Sequence, residues 1–462
     1  MKILISIFLL APFWCASFTQ IMGKTESSEG EWIHLFEIDE FATRNETAIQ
    51  KFKITNDNQF YFEINNKVIK KYVIRLNNTY TELFIQPNTA YNIVIPQESI
   101  EVIPYFSGKE IELLFLDLDS NDINYKILGF EAWLDDEMAS LYLLKDVDPS
   151  KFIDGVLKFQ VEIGKEYNND SSLYFKNHIK YALGKTIHSI NYFGAPNASE
   201  KLLFYIKNQE ILYDLPVYME YLKDYYSSIA LKISPSAKRV TSVALYESDG
   251  RMLIKGLLTD SIVPSEQIAE IVALQLIEEE YPKGNFSQNN LIKITKYIQR
   301  YSKHEKNRLI SKNLARKFYT IVEGDPLPTL QLNDAKYLGA PGKYQYIHFF
   351  DPSNPQSLAQ SKALIVLHEK YGETIDFVSI YLNGDTGVFQ ERIINSVNWP
   401  CYGLDYYHPV WKSLDIGTFP YYILVNDNLI IESLPALGPI PNGTYQTIAK
   451  KFFDIQKKKI RN

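Results

Sequence analysis

Few residues in this chain could do chemistry, and the thiols come first. There are two cysteines, Cys15 and Cys401. Two thiols can exchange a disulfide, and one alone can act as a nucleophile when a nearby cation or a helix N-terminus stabilises its thiolate. Cys401 sits in Asn398-Trp399-Pro400-Cys401-Tyr402-Gly403, with no lysine or arginine beside it in sequence. A buried, inert thiol is the plain expectation there; the rival is a lone redox or peroxidatic thiol. The second candidate is the junction in YQYIHFFDPSNPQSLAQSKALIVLHEKYG, residues 344–372, which reads as a buried strand, a proline-bearing turn and a helix closed by Gly372. A cysteine at such a junction would have its pKa lowered by the helix N-terminus. The residues present are Asn354, Pro355, Gln356 and Ser357, and none of them forms a stable thiolate. Asn354 as N-cap with Pro355 at the first helical position is favoured chemistry for a helix start. Uncapped N–H groups at the same place could instead hold a carboxylate or other anionic group of a partner.

Other catalytic chemistries find no footing. The seven histidines are scattered, and no His/Cys/carboxylate spacing suggests a zinc or iron site. There is no Gly-x-Ser-x-Gly elbow and no phosphate loop. Asp117-Leu118-Asp119 with Asp122, and Glu278-Glu279-Glu280, read as solvated faces; the first lacks the further ligands of a calcium loop. No metal or cofactor is expected. A net charge of −7 and a pI near 5.7 offer no electrostatic footprint for nucleic acid. The basic run at residues 457–461, KKKIR, reads as a solvated helix end.

Lys2 followed by ILISIFLLAPFW, with Cys15 and Ser17 at the −3 and −1 positions, reads as a signal peptide covering residues 1–17. Lipidation at Cys15 is the competing reading, but Pro12-Phe13-Trp14 lacks the Leu-x-small pattern that precedes a lipidated cysteine. No later run is apolar for long enough to span a membrane. An exported, periplasmic or envelope-associated protein is therefore expected. Cleavage after Ser17 would leave Cys401 as the single thiol, and a dithiol electron shuttle is excluded by count.

At 462 residues the chain should form several domains. Hydrophobic residues make up 46% and charged ones 22%, as in a globular protein, and 33 Tyr with 26 Phe favour β-structure and interlocking aromatic cores. Residues 18–30 are small and polar and read as a flexible leader. Residues 31–105 carry short alternating strands, expected to form an antiparallel β-sandwich; KFKITNDNQFYFEIN, residues 51–65, reads as a hairpin within it. Trp32, Phe60, Phe62 and Tyr91 are core candidates there, with a carbohydrate platform as the minority reading. Residues 106–323 are mainly helical, and Ser265 should cap a helix whose stripe is Ile268, Ile271, Val272 and Leu276. RVTSVALYESDGRMLIKGLL, residues 239–258, reads as a short hairpin or as a loop with helical ends. Residues 324–462 change to an α/β pattern: strand 344–350, helix 357–371, strand TIDFVSIYL, a polar helix near 388–396, the pair YYILVN and LIIESL joined through Asp427-Asn428, and a last helix near 445–458.

This βαβ–ββα order, with Phe419-Pro420 immediately before a strand, resembles the thioredoxin-like fold, and more specifically the periplasmic TlpA/ResA-type thiol-disulfide oxidoreductases. The matching pieces are GDPLPTLQLND, GKYQYIHFF, ETIDFVSIYLN and TFPYYILVND, spanning about residues 324–455. In layout alone, the whole chain resembles large envelope proteins of Gram-negative bacteria that carry such a domain at the C-terminus. Members of the family place Trp-Cys-x-x-Cys where this chain has Ser353 to Ser357, so the resemblance puts Asn354 and Ser357 at the two sulfur positions. It implies a cis bond before Pro420, with Phe419 lining a groove that could grip extended peptide by strand addition. The resulting expectation is a non-catalytic binding or scaffold protein of the bacterial envelope, its partner a peptide or protein held at Asn354, Pro355, Gln356, Ser357, Phe419 and Pro420. A thiol enzyme using Cys401 is the alternative. A third reading gives the β and helical domains an envelope partner or a sugar. Oligomeric state is not readable from these features.

Overall fold

A computed structural model of the chain describes residues 18–96 apart from 27 and 78, then 108–187, 190, 195–318, 321–332, 335–337, 339, 341–382, 397–441 and 446–461. The expected signal segment with Cys15, and the expected helix near 388–396, lie outside the described residues. The chain divides into two units, one made chiefly of residues up to 316 and the other chiefly of residues from 317 onward.

From the N-terminus come strands β1 (Thr19–Thr25), β2 (Trp32–Glu40), β3 (Asn45–Lys53), β4 (Gln59–Ile64), β5 (Lys70–Leu76), β6 (Thr79–Ile85), β7 (Ala90–Ile95), β8 (Lys109–Glu110) and β9 (Leu114–Phe115). They make two sheets, in the orders β4-β1-β7-β9 and β3-β2-β5-β6-β8. The leader expected at 18–30 is thus corrected. Every second residue of β1 is buried, and the strand lies inside its sheet, antiparallel to β4 and parallel to β7. Its small polar residues hid this, because Thr19, Gly23 and Thr25 are accommodated beneath larger neighbours; a Cβ on Gly23 would collide with the Phe60 ring. The parallel pairs β1–β7 and β6–β8 also make both sheets mixed, where antiparallel pairing was expected.

The expected hairpin at 51–65 splits between the sheets. β3 pairs with β2 and β4 with β1, across the turn in which Asn58 N–H donates to Thr55 O at 2.9 Å. The alternation was real, but β3 takes the preceding β2 as its hairpin partner across residues 41–44, and β4 takes the distant β1. Gln50 links the two edges, donating to Glu63 O at 2.5 Å and accepting from Glu63 N–H at 3.2 Å. Phe60, Phe62 and Tyr91 are buried, which leaves Trp32, at 40% exposure and under the Lys51 ammonium, as the accessible ring of the four candidates.

Helices follow: α1 (Ile123–Lys145), α2 (Pro149–Tyr167), α3 (Leu173–Thr186), α4 (Ala198–Lys201) running into a π-helical turn at Leu202–Ile206, α5 (Pro216–Tyr226), α6 (Ile229–Lys232), α7 (Pro235–Glu247), α8 (Gly250–Leu258), α9 (Glu266–Glu280), α10 (Gln288–Tyr301) and α11 (Glu305–Phe318). Residues 239–258 are α7 and α8 rather than a hairpin. Ser248 ends α7 in the left-handed conformation and Asp249 caps α8 through Met252 N–H at 2.9 Å. Ser265 caps α9 as expected, accepting from Ile268 N–H at 3.3 Å. The start of α1 is tied to β6 by Asn124, whose side-chain amide accepts from Phe84 N–H at 2.8 Å and donates to Phe84 O at 2.7 Å. That bidentate clasp satisfies strand groups that would otherwise need a further strand.

The second unit holds β10 (Leu330–Leu332), β11 (Ala335–Tyr337), β12 (Tyr344–Phe350), α12 (Pro355–Tyr371), β13 (Ile375–Leu382), β14 (Cys401–Leu404), α13 (Pro409–Ser413), β15 (Tyr421–Val425), β16 (Ile431–Ser433) and α14 (Ile448–Arg461). Its main sheet has the order β14-β13-β12-β15-β16, with β12, β13 and β14 parallel and β15 and β16 antiparallel additions. Alternate strand residues build two cores. Ile347, Phe349, Val378, Ile380, Leu404 and Val425 face one side with Trp411 and Phe419. Tyr346, Phe377, Tyr422 and Leu424 face the other, beneath Leu364 of α12 and Phe452 of α14. Among the described residues no helix is long and apolar enough to cross a membrane.

Candidate functional site

The β12–α12 junction is shaped by side chains acting on backbone. Ser353 donates its N–H and hydroxyl to Asp351 Oδ1 at 2.8 and 2.6 Å, which folds the turn. Asn354 then caps the helix, its Oδ1 accepting from Gln356 N–H at 2.9 Å and Ser357 N–H at 3.2 Å. Pro355 has no N–H, and Leu358 N–H donates to Asn354 O at 3.0 Å. Every donor of the first turn is therefore engaged, and the anion site considered for uncapped N–H groups has lost its donors to the cap. Pro355 and Gln356 are exposed, Asn354 is half-buried, and Ser357 is fully buried with no partner for its Oγ among the described residues.

The Phe419–Pro420 bond is cis, as the resemblance implied, and so is Leu434–Pro435. Phe419 corrects the reading that placed it on a groove wall. Its ring is buried and meets Trp411 edge-on at 5.5 Å, inside the apolar core on the face away from α12. A large apolar ring at that position gains more from burial than from lining open space. Pro420 stays half-buried at the strand start. The segment after the second cis bond lies against α12: Tyr346 Oη donates to Leu437 O at 2.6 Å, and Ile440 N–H donates to Gln360 Oε1 at 3.1 Å. Leu437 and Ile440 keep exposed side chains beside the junction.

Sequence reading missed a row of polar residues that crosses the sheet under α12. Strand register aligns Cys401 with Ser379, Ser379 with His348, and His348 with Tyr422. In-register residues of neighbouring strands share a face. Ser379 Oγ accepts from Trp399 Nε1–H at 2.9 Å and lies 3.3 Å from His348 Nδ1. The imidazole stacks between Phe350 at 4.7 Å and Tyr422 at 5.0 Å. His348 Nε2 and Tyr422 Oη are buried with no partner among the described residues. The available signal was His348 inside a strand expected to be buried, YQYIHFF, since a buried histidine calls for a partner.

Thiol, hydroxyl and imidazole in one row could in principle pass a proton from sulfur to nitrogen. The electrostatics oppose it at both ends. Burial pushes the Cys401 thiol up to about 12 and holds the His348 imidazolium down to about 3. Neutral thiol and neutral imidazole are the stable forms at neutral pH, so the row does not generate a thiolate. Cys401 sits half-buried on the edge strand β14, with β13 between it and β12. Among the described residues no group of three or more His, Cys, Asp or Glu side chains could hold a metal.

A central β-α-β unit, an antiparallel pair added on the other side, a C-terminal helix and a cis-proline just before β15 define a thioredoxin-like fold for this domain. No family model matches the chain, and no curated protein matches it. Solved structures do match about three tenths of the chain. The thioredoxin domain of a thiol-disulfide oxidoreductase from Bacteroides vulgatus is 13% identical, with 30% of this chain and 98% of that one covered and a TM-score of 0.24. StoA from Bacillus subtilis is 16% identical, with 29% and 98% covered and a TM-score of 0.23. A secreted Mycobacterium tuberculosis disulfide oxidoreductase is 16% identical, with 27% and 89% covered and a TM-score of 0.21. Activity does not carry across at such identities.

Proposed function

We propose that this is an exported envelope protein whose C-terminal thioredoxin-like domain has lost dithiol chemistry and serves to bind a peptide or protein. The observation that carries the reading is the β12–α12 junction, where Asn354 occupies with its own side chain the helix-start donors that would stabilise a thiolate. Ser357, at the other sulfur position, is buried. The binding face would comprise exposed Pro355 and Gln356, half-buried Asn354 and Pro420, and the flanking Leu437 and Ile440, an apolar rim next to a strand start that extended peptide can join. Residues 1–17 act as the signal peptide in this reading. Residues 31–105, extended by β1 before them and by β8 and β9 after them and taken as a sandwich of the two N-terminal sheets, and the helices that follow up to 323 form the parts that precede the domain at 324–462. Purified protein without residues 1–17, assayed for reduction of insulin disulfides by dithiothreitol, should match the uncatalysed rate. The paired change Asn354→Cys with Ser357→Cys is the variant in which turnover could appear, and the unaltered chain turning over robustly would overturn the proposal.

A further inference from the structure

Several helices here, α10 among them, separate an apolar face from a polar one. In α10 the outer positions Asn289, Lys293, Lys296 and Arg300 are all polar and exposed. α1 does not separate in this way. Its inner face buries Ile127, Phe130, Leu134, Met138 and Leu141. Its outer face carries a second seam at spacing 3-4-3-4-3: Tyr125, Leu128, Ala132, Asp135, Ala139 and Tyr142, all exposed. Tyr125 is 53% exposed, Leu128 54% and Tyr142 48%. A helix apolar on both sides normally has both sides covered, and a heptad-spaced seam is the pattern that receives another helix. The seam's middle is acidic, since Asp135 and Asp136 are exposed there, whereas Glu131 lies 3.0 Å from His178 Nε2, Lys126 is paired to Asp170 at 2.7 Å and Lys145 lies over the Tyr142 ring.

We propose that the outer face of α1 docks an amphipathic helix of a partner protein, with leucine-type residues along its seam and lysine or arginine at its middle. A second copy of this chain does not suit the face. Pairing α1 with itself about a two-fold axis sets Asp135 and its acidic neighbours against their own counterparts, and like charges facing one another destabilise a seam.

The test uses the whole chain without residues 1–17 and a synthetic 21-residue peptide with leucine at both seam positions and lysines flanking its centre, read by fluorescence anisotropy at low and high salt. Saturable one-to-one binding is expected. It should be about tenfold weaker or more for Leu128→Glu, whose side chain is already exposed, weaker again at high salt, and absent with a peptide bearing glutamate in place of the lysines. Leu128→Glu adds negative charge, so unspecific attraction to lysine would grow with that change. Growth of binding in Leu128→Glu, no saturable binding at all, or a dimer in light scattering that Leu128→Glu dissolves would each overturn the proposal.

Discussion

The two faces of the C-terminal sheet use alternate residues of the same strands, yet their chemistry differs. Ile347, Phe349, Val378, Ile380, Leu404 and Val425 give one face an apolar centre closed by Trp411 and Phe419. On the other face, Cys401, Ser379, His348 and Tyr422 run in register across four strands beneath α12, with buried Ser357 above them on the helix. The apolar face is held by packing. The α12 face keeps polar atoms where burial disfavours the charged forms of Cys401 and His348. At neutral pH its thiol and imidazole stand in their neutral forms.

The largest effect that separates the faces should be a pH dependence. His348 is buried neutral, with its pKa lowered to about 3. Its contribution to stability is fully present above the unfolded-state value near 6.5 and is lost as pH falls toward the folded-state value. Over that window the loss is on the order of 4 to 5 kcal/mol. Urea unfolding between pH 7 and pH 3 should show this loss in the unaltered protein and a shallower slope in His348→Phe; equal slopes would mean that the imidazole is not held neutral by the fold. On the apolar face Phe349→Ala should cost about 3–5 kcal/mol at any pH, through lost transfer and a residual cavity. A cost below about 1 kcal/mol in denaturant melts would show a loosely packed core.

Smaller effects sharpen the contrast. Tyr422→Phe removes a buried hydroxyl that has no partner among the described residues. It should raise stability by roughly 1–2 kcal/mol, because no hydrogen bond is lost while a desolvated polar group is removed; destabilisation in the same melt would reveal a partner for Oη. Asn354→Ala deletes the cap of α12 and should cost about 1 kcal/mol, with Asn354→Asp close to neutral. Cys401, with its pKa raised to about 12, should react with iodoacetamide at pH 8 far more slowly in the folded protein than in urea. Equal rates would revive the lone-thiol enzyme.

Legibility followed the range of the interactions. Strand β12, the helix after it, the Asn354 cap and the pair β15–β16 depend on neighbours in sequence, and their residues announce them. The β1 strand was not legible, because a threonine- and glycine-bearing segment becomes a strand only through β4 and β7, 35 or more residues away. In the split of 51–65 only β4 has that origin, through β1, whereas β3 pairs with its sequence neighbour β2. In the candidate site, Asn354 and Pro420 stand where the pattern put them, but the fate of Phe419 depended on Trp411, and the polar row joins residues 348, 379, 401 and 422 by strand register alone. A one-residue slip in any of those pairings would turn the row to the other face.

Dithiol exchange is the chemistry that the β12–α12 junction would perform if it were catalytic, so insulin-disulfide reduction by the purified, unaltered chain with dithiothreitol is the most direct measurement. Asn354 holding the helix start, buried Ser357 and a protonated Cys401 predict precipitation of the insulin B chain at the rate of the uncatalysed control. Acceleration that scales with protein concentration and survives Cys401→Ser would contradict the account.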